Sequence, residues 1–372
     1  MLKNACGKLV TNFSQLAGSA VTNKRLVYSL SLIWLAVTGS FQGWQASWLL
    51  AINGYLSAGI LVWGGWQFGR KGAKPLTWPL VIFWCFGVLV SALSKDTASI
   101  ARIFFWAILI AVYHLPHDLE ALGRGARWAG WVIIPLAVIA PWENENSMAM
   151  LIWGLYWAGL GNRFSWPYTV LAGGALLSTH SEGGLLAMLA GGAIWAWLRW
   201  PAYRRWLAGG IIAGLGLSWL AMLAIKVGDV GSFWLRVWAY EYAWAGFTHS
   251  PIIGNGLNTY EVLISYWLAI DPHNLLLTIL WETGLVGLAI SLWLVYRLLA
   301  LHDISGWVAA WLVTFLSHSM VDLPLFASFF TAVTLFMILG GLPCKEKITS
   351  AWPWLRPSSW PWPARRFPSR PR

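Results

Sequence analysis

The sequence predicts an all-α, polytopic integral membrane protein, one bundle of about twelve transmembrane helices with a single long loop on its outer side. Three observations carry this reading. The chain is 58% hydrophobic and only 10% charged, whereas roughly a quarter of residues are charged in a soluble domain. Apolar runs separated by short polar breaks recur from Leu26 to Gly341, each of about 15–25 residues, the length that crosses a bilayer as a helix. Basic residues gather in alternate breaks. No soluble domain is expected.

The runs centre near Leu32, Ser57, Trp84, Trp106, Ile134, Ile152, Leu171, Leu189, Leu215, Trp281, Trp311 and Leu335. With the N-terminus in the cytoplasm and sides alternating, the outer segments keep only Lys95, Arg102, Lys226 and Arg236 of the 25 Lys and Arg. The rest fall inside, a strong positive-inside asymmetry. The net charge of +11 therefore reports topology and attraction to anionic membrane lipids, and it argues against nucleic acid as a partner. The 31 Trp fit interfacial belts, where indole sits at headgroup level. Cys6 and Cys344 fall in cytoplasmic segments and Cys85 in a span, so neither a disulfide nor a metal cluster is expected. No apolar core precedes Lys24-Arg25, so a cleavable signal peptide is not expected either.

Residues 1–25 read as a cytoplasmic basic arm lying on the inner leaflet. Residues 26–344 form the transmembrane domain, and residues 345–372 a cytoplasmic Trp/Pro/Arg-rich tail. Proline denies that tail a helix, and it reads either as an interfacial segment or as an anionic-lipid anchor. Within the domain, residues 227–272 form the only long connection and fall on the outer face; long ordered loops are usually functional. Residues 233–247 read as an interfacial helix, aromatic at many positions around Arg236 and Glu241. Gly254-Asn255-Gly256 reads as a turn.

The same topology puts five polar features on the outer side: His180-Ser181-Glu182, Arg236, His273-Asn274, His318 and Asp322. Segments distant in sequence that meet one water–lipid boundary point to a site there. A titratable ring at the mouth of a membrane helix is costly without a purpose, and imidazole suits proton transfer near neutral pH. The plainer alternative for His273 is a helix N-terminal residue satisfied by local backbone, and Asp271-Pro272 before it resembles a helix start. A guanidinium at Arg236 suits bidentate phosphate binding or snorkelling to lipid headgroups. Glu182, His318 and Asp322 divide evenly between site and structural contact. Glu282, inside the apolar zone, must be protonated or paired. His114-Leu115-Pro116-His117-Asp118 has the look of a metal cluster, but Pro separates its histidines on the cytoplasmic side and no metal is expected there. Gly254-Asn255-Gly256 lacks the third glycine of a dinucleotide fingerprint.

From Arg236 to Gly287 the chain resembles the O-antigen ligase/polymerase superfamily of bacterial inner-membrane glycosyltransferases. That family's His-Asn/Ser/Gln, nine residues, Gly-x-x-Gly/Thr/Tyr pattern is met by His273-Asn274 through Gly284 and Gly287. Arg236 with Trp238 two residues on, then Pro251-Ile252-Ile253-Gly254-Asn255-Gly256, meets a second pattern, and His318 with Asp322 forms a His-x-x-x-Asp pair before the last span. One departure stands out. Where many members carry Ser-Arg-Gly, this chain has Ser181-Glu182-Gly183, so a basic group expected near a pyrophosphate is missing or supplied elsewhere.

The resemblance implies a GT-C-like helical bundle in the bacterial inner membrane, multi-pass, with its active site and long loop facing the periplasm. It implies transfer of a glycan from undecaprenyl pyrophosphate to a sugar hydroxyl on lipid A-core or another glycan acceptor, without metal or nucleotide cofactor. Inversion at the anomeric carbon would follow from single displacement. His273 is the implied base and Arg236 the implied partner of the pyrophosphate. Asn274, Glu182, His180, His318, Asp322 and Trp238 are the implied substrate-binding residues. Polymerase and ligase share these motifs. A transporter is the alternative of another class; it should show inverted repeats and polar groups near the midplane, whereas here no clear repeat is found and the polar residues gather at one face.

Overall fold

The computed structural model describes residues 24–40, 47–94, 99–139, 145–161, 164–206, 210, 230–257, 259, 273–322 and 329–345. The basic arm up to residue 23, the expected span around Leu215, residues 260–272 with Asp271-Pro272, and the tail from residue 346 lie outside these residues. Also outside them are the side chains of residues 230–236, Arg236 among them.

The described residues are almost entirely α-helical. In chain order the helices are α1 (Lys24–Ser40), α2 (Ser47–Lys71), α3 (Thr77–Ser94), α4 (Ser99–His114), α5 (Leu119–Ile139), α6 (Glu145–Leu160), α7 (Trp166–Ser178), α8 (Glu182–Arg199), α9 (Val230–His249), α10 (Leu275–Leu301), α11 (Gly306–His318) and α12 (Phe329–Gly341). Eleven of them coincide with the expected spans; α9 is the helix expected at residues 233–247. By length and composition, α3 and α10 are each able to cross a membrane. α4 and α5 pass only as a pair and meet at a bend of 118°.

The core explains the arrangement. Every residue of α6 from Ser147 to Leu160 is buried, as expected of a helix apolar all round. Around it lie α1, α5, α7, α8, α11 and α12. Trp153, on α6, is fully buried against Trp311, with ring centroids 5.4 Å apart. The belt expectation for tryptophan is therefore only half of the picture. Trp106, Trp153, Trp157, Trp281, Trp307 and Trp311 are core residues, while Trp63, Trp66, Trp128, Trp166 and Trp206 are exposed.

The loops separate into two ends. At one end Lys74 Nζ donates to the carbonyls of Tyr113, Leu115 and Gly340 at 2.7, 3.0 and 2.8 Å. Three acceptors match the three N–H of an ammonium and join the last turns of α4 and α12. Arg127 donates to Gly159 O and Leu160 O at 2.7 and 2.8 Å, satisfying the last carbonyls of α6. The suspected metal cluster is taken up here by structure. Asp118 Oδ1 accepts from Ala121 N at 3.0 Å, His114 Nε2 meets Thr77 Oγ1 at 3.2 Å and His117 Nε2 donates to Val112 O at 2.6 Å. The other end carries the functional candidates.

Candidate functional site

The frame of the site is a helix broken on purpose. Gly284 interrupts α10 with φ 61° and ψ −160°, a conformation essentially reserved for glycine. The break frees backbone groups, and the turn after α9 takes them up. Asn255 N donates to Trp281 O at 2.8 Å and Gly256 N to Glu282 O at 3.0 Å, while Leu285 N and Val286 N donate to Pro251 O and Ile252 O at 2.9 and 3.1 Å. A Cβ on Gly284 would meet Ile252 O at 2.5 Å, and one on Gly254 would strike the backbone of Glu282 and Thr283. The two glycine patterns read separately in the sequence are thus one interlocked element. Trp281 ties α9 to it, stacking on Tyr242 with centroids 5.3 Å apart and donating to Thr259 Oγ1 at 2.9 Å.

Beyond the turn, the chain docks on α3 and α4. Leu257 N donates to Ser91 Oγ at 3.1 Å, and Ser99 Oγ donates to Leu257 O. The long loop is therefore pinned to the bundle at both α10 and the α3–α4 end.

His273 and Asn274 open α10. Asn274 is the N-cap, its Oδ1 accepting from Leu277 N at 3.1 Å, the usual way to satisfy a first-turn donor. Its Nδ2 donates to Met320 O at 3.1 Å, and Leu275 N donates to Ser319 O at 2.7 Å. These bonds hold the start of α10 against residues 318–322. His273 has φ 45°, a left-handed conformation uncommon for a residue with a Cβ. It turns the ring out of the helix path, where Nδ1 lies 3.3 Å from Asp322 Oδ1. The carboxylate is nearly buried and the imidazole about a quarter exposed, with side-chain accessibilities of 6% and 28%.

Residues 318–322 are a hub on which α6, α8, α9 and α10 converge. His318 is fully buried; its Nδ1 accepts from Trp153 Nε1 at 2.9 Å, so the neutral ring carries its proton on Nε2. Asp322 N donates to His318 O at 2.9 Å. His318 is thus an anchor between the core and Asp322 and does not face open space. On α8, Ser181 is the N-cap, its Oγ accepting from Gly184 N at 3.0 Å and donating to Asn146 Oδ1 at 2.6 Å. Gly183 is so close to the hub that an added Cβ would lie 2.8 Å from Val321 Cγ2 and 3.6 Å from His318 Nε2. Glu182 is an exposed first-turn residue of α8, where a carboxylate complements the helix dipole. From α9, Tyr240 OH donates to Met320 O at 3.3 Å. Arg236 precedes Tyr240 by one helical turn.

Of the expected site residues, His273, Asn274, His318 and Asp322 are in contact with the hub, and Glu182 is next to Gly183 beside it. His180 is exposed with φ 55° in the turn before α8, and Trp238 is exposed on α9 at 60%. Sequence reasoning missed Trp153, Tyr240 and Asn146. Trp153 was one tryptophan among many on an apolar helix, and nothing local marks it as the donor to His318.

Residues 167–294 match the family model described as O-antigen ligase. This segment is similar to the O-antigen ligase family, and the match supports the superfamily that the sequence resembles. The ligase-family match runs from α7 through α8, α9 and the interlocked turn into α10, and so covers His180, Glu182, Arg236, Trp238, His273 and Asn274. His318 and Asp322 lie beyond it, and the place of Asp322 beside His273 comes from the geometry. The curated proteins give no match to the chain.

Proposed function

We propose that the chain is an O-antigen ligase-like glycosyltransferase, a twelve-span bundle of the bacterial inner membrane. It moves a glycan from undecaprenyl pyrophosphate to a sugar hydroxyl of lipid A-core at the periplasmic face. The observation that carries the proposal is the His273–Asp322 pair at the mouth of α10, inside and beside the ligase-family segment.

With Asp322 accepting from Nδ1–H, the lone pair of the neutral His273 imidazole lies on Nε2, the atom that accepts a proton. An acceptor hydroxyl at Nε2 attacks the anomeric carbon of the donor. The new C–O bond forms as the bond to pyrophosphate breaks, the hydroxyl proton passes to Nε2, and undecaprenyl pyrophosphate leaves with the bonding pair. Asp322 holds the ring and stabilises the imidazolium that forms, the role of a carboxylate behind a histidine base. A pyrophosphate leaving group needs cationic stabilisation more than an acid. Arg236, on the helix whose Tyr240 reaches the hub, is assigned to it. Glu182 takes the place of the family's usual basic residue, so Arg236 carries more of that charge here than in members with two.

The test uses purified protein in detergent with undecaprenyl-pyrophosphate-linked glycan, with and without lipid A-core. Glycan on lipid A-core only when that acceptor is supplied establishes the ligase. Lengthening of the lipid-linked glycan in its absence means a polymerase of the same superfamily. No transfer under either condition, with host donor and acceptor, contradicts the proposal.

A further inference from the structure

The base and the helix of the leaving-group cation are set from one carbonyl. Met320 O accepts from Asn274 Nδ2 at 3.1 Å and from Tyr240 OH at 3.3 Å, which uses both of its lone pairs. Asn274 follows His273 in the chain, and Tyr240 lies one helical turn after Arg236. The same turn carries Asp322, whose carboxylate meets His273 Nδ1 at 3.3 Å, and Ser319 O, which accepts from Leu275 N at 2.7 Å. The start of α10 is therefore held by Ser319, Met320 and Asp322, and α9 reaches the same residues through Tyr240.

The tightest packing of α9 lies further along the helix. Ala243 is fully buried in a cluster with Trp281, Tyr242 stacks on Trp281, and a Cβ on Gly246 would collide with the Trp281 ring. These contacts stand roughly two to three turns beyond Arg236. With Ala243 as the pivot, the Arg236 backbone is at the end of a lever about 10 Å long, and a tilt of about 5° moves it by about 1 Å.

Single displacement places a demand on this lever. The acceptor oxygen and the pyrophosphate lie on opposite sides of the anomeric carbon, so base and cation must keep one spacing to serve both. A misplacement of about 1 Å can cost about 10²-fold in rate. The Tyr240 hydroxyl stays the lever near its Arg236 end, on the carbonyl that also holds the residue beside the base. Its one proton is donated to Met320 O, so Tyr240 is not placed as an acid for the leaving group.

We infer that Tyr240 is a positioning residue for transfer: through Met320 O it holds the Arg236 helix at a fixed distance from His273. The inference rests on the proposed transferase reading.

Steady-state transfer by Tyr240→Phe tests it, run as a cycle with Arg236→Lys. Phenylalanine keeps the ring and removes the bond, so the variant should fold as the wild type does. It should lower kcat by roughly tenfold, part of the cost of a misplaced group, with KM for the acceptor unchanged. In the Arg236→Lys background the same change should cost less than about twofold, because an ammonium on a flexible stem depends less on helix placement than a rigid fork. Equal factors in the two backgrounds would mark a merely structural tyrosine and overturn the inference. Wild-type kcat in Tyr240→Phe would overturn it as well, and in both cases the transferase reading stands. Absence of transfer by the wild type removes that reading, and this inference with it.

Discussion

Gly284→Ala is the substitution that most sharply separates a functional motif from a structural one. The family pattern includes this glycine, and a natural reading is that it approaches substrate. The geometry assigns it instead to the break in α10. Alanine there is forced into φ 61°, ψ −160°, at a cost of about 1–3 kcal/mol. The new methyl also meets Ile252 O at 2.5 Å, so the turn must withdraw. With it go four backbone hydrogen bonds, to Trp281 O, Glu282 O, Pro251 O and Ile252 O, each contributing about 0.5–1.5 kcal/mol net. The loss is several kcal/mol, roughly 6 °C or more of Tm at about 2 °C per kcal/mol. Thermal unfolding of the purified protein in detergent measures it, with Gly59→Ala as control, because nothing lies within 4 Å of a Cβ at Gly59. The same variant should lose transferase activity through displacement of α9 and the start of α10. A Gly284→Ala protein that melts like the wild type but cannot transfer glycan would refute this reasoning and return the glycine to the substrate.

Other substitutions address the chemistry and the opposite end. Asp322→Asn should reduce kcat by roughly 10²-fold or more with little change in KM, because the base loses its orienting carboxylate but substrate contacts stay; steady-state kinetics on the lipid-linked donor decides. Arg236→Ala should abolish transfer while Arg236→Lys retains a fraction, since an ammonium keeps the charge but not the fork; equal activity of the two would remove Arg236 from the leaving-group site. Trp153→Phe removes the bond to His318 Nδ1 and should destabilise the protein by about 1–3 kcal/mol, read by thermal unfolding. His117 is held neutral by burial, with its pKa pushed down to about 4; Nε2–H serves Val112 O, and Nδ1 has no partner among the described residues. A depressed histidine pKa means that the unfolded chain binds the extra proton first. Stability should therefore fall on acidification from about pH 6.5 to pH 4, by up to about 1.4 kcal/mol per pH unit. His117→Gln should flatten that slope in melts taken across the range.

Much of this architecture was legible from residue order. Apolar runs gave the helices, and the polar residues at their outer ends singled out His273, Asn274 and Asp322, which the fold brings together, because a charge at a membrane boundary has few cheap explanations. Two things were not legible. The approach of Ile252 O to Gly284 depends on where a distant loop lands; the sequence marks a glycine without naming its neighbour. His318 divided evenly between site and structural contact, with a substrate-binding role implied by the resemblance; its ring lies in the core and binds Trp153, and only the packing of α6 against α11 reveals that. The starts of α5, α8 and α10 are marked more plainly, since Asp118, Ser181 and Asn274 are capping residues by type as well as by bond.

The central claim is that His273, backed by Asp322, removes the proton from the acceptor hydroxyl. The most direct measurement compares wild type and His273→Ala in single-turnover transfer from undecaprenyl-pyrophosphate-linked glycan to lipid A-core, with Tm of both proteins taken in the same buffer. The account predicts equal Tm and a rate lower by about 10²–10⁴-fold in the variant, the usual share of a general base. Transfer by His273→Ala at the wild-type rate would contradict it.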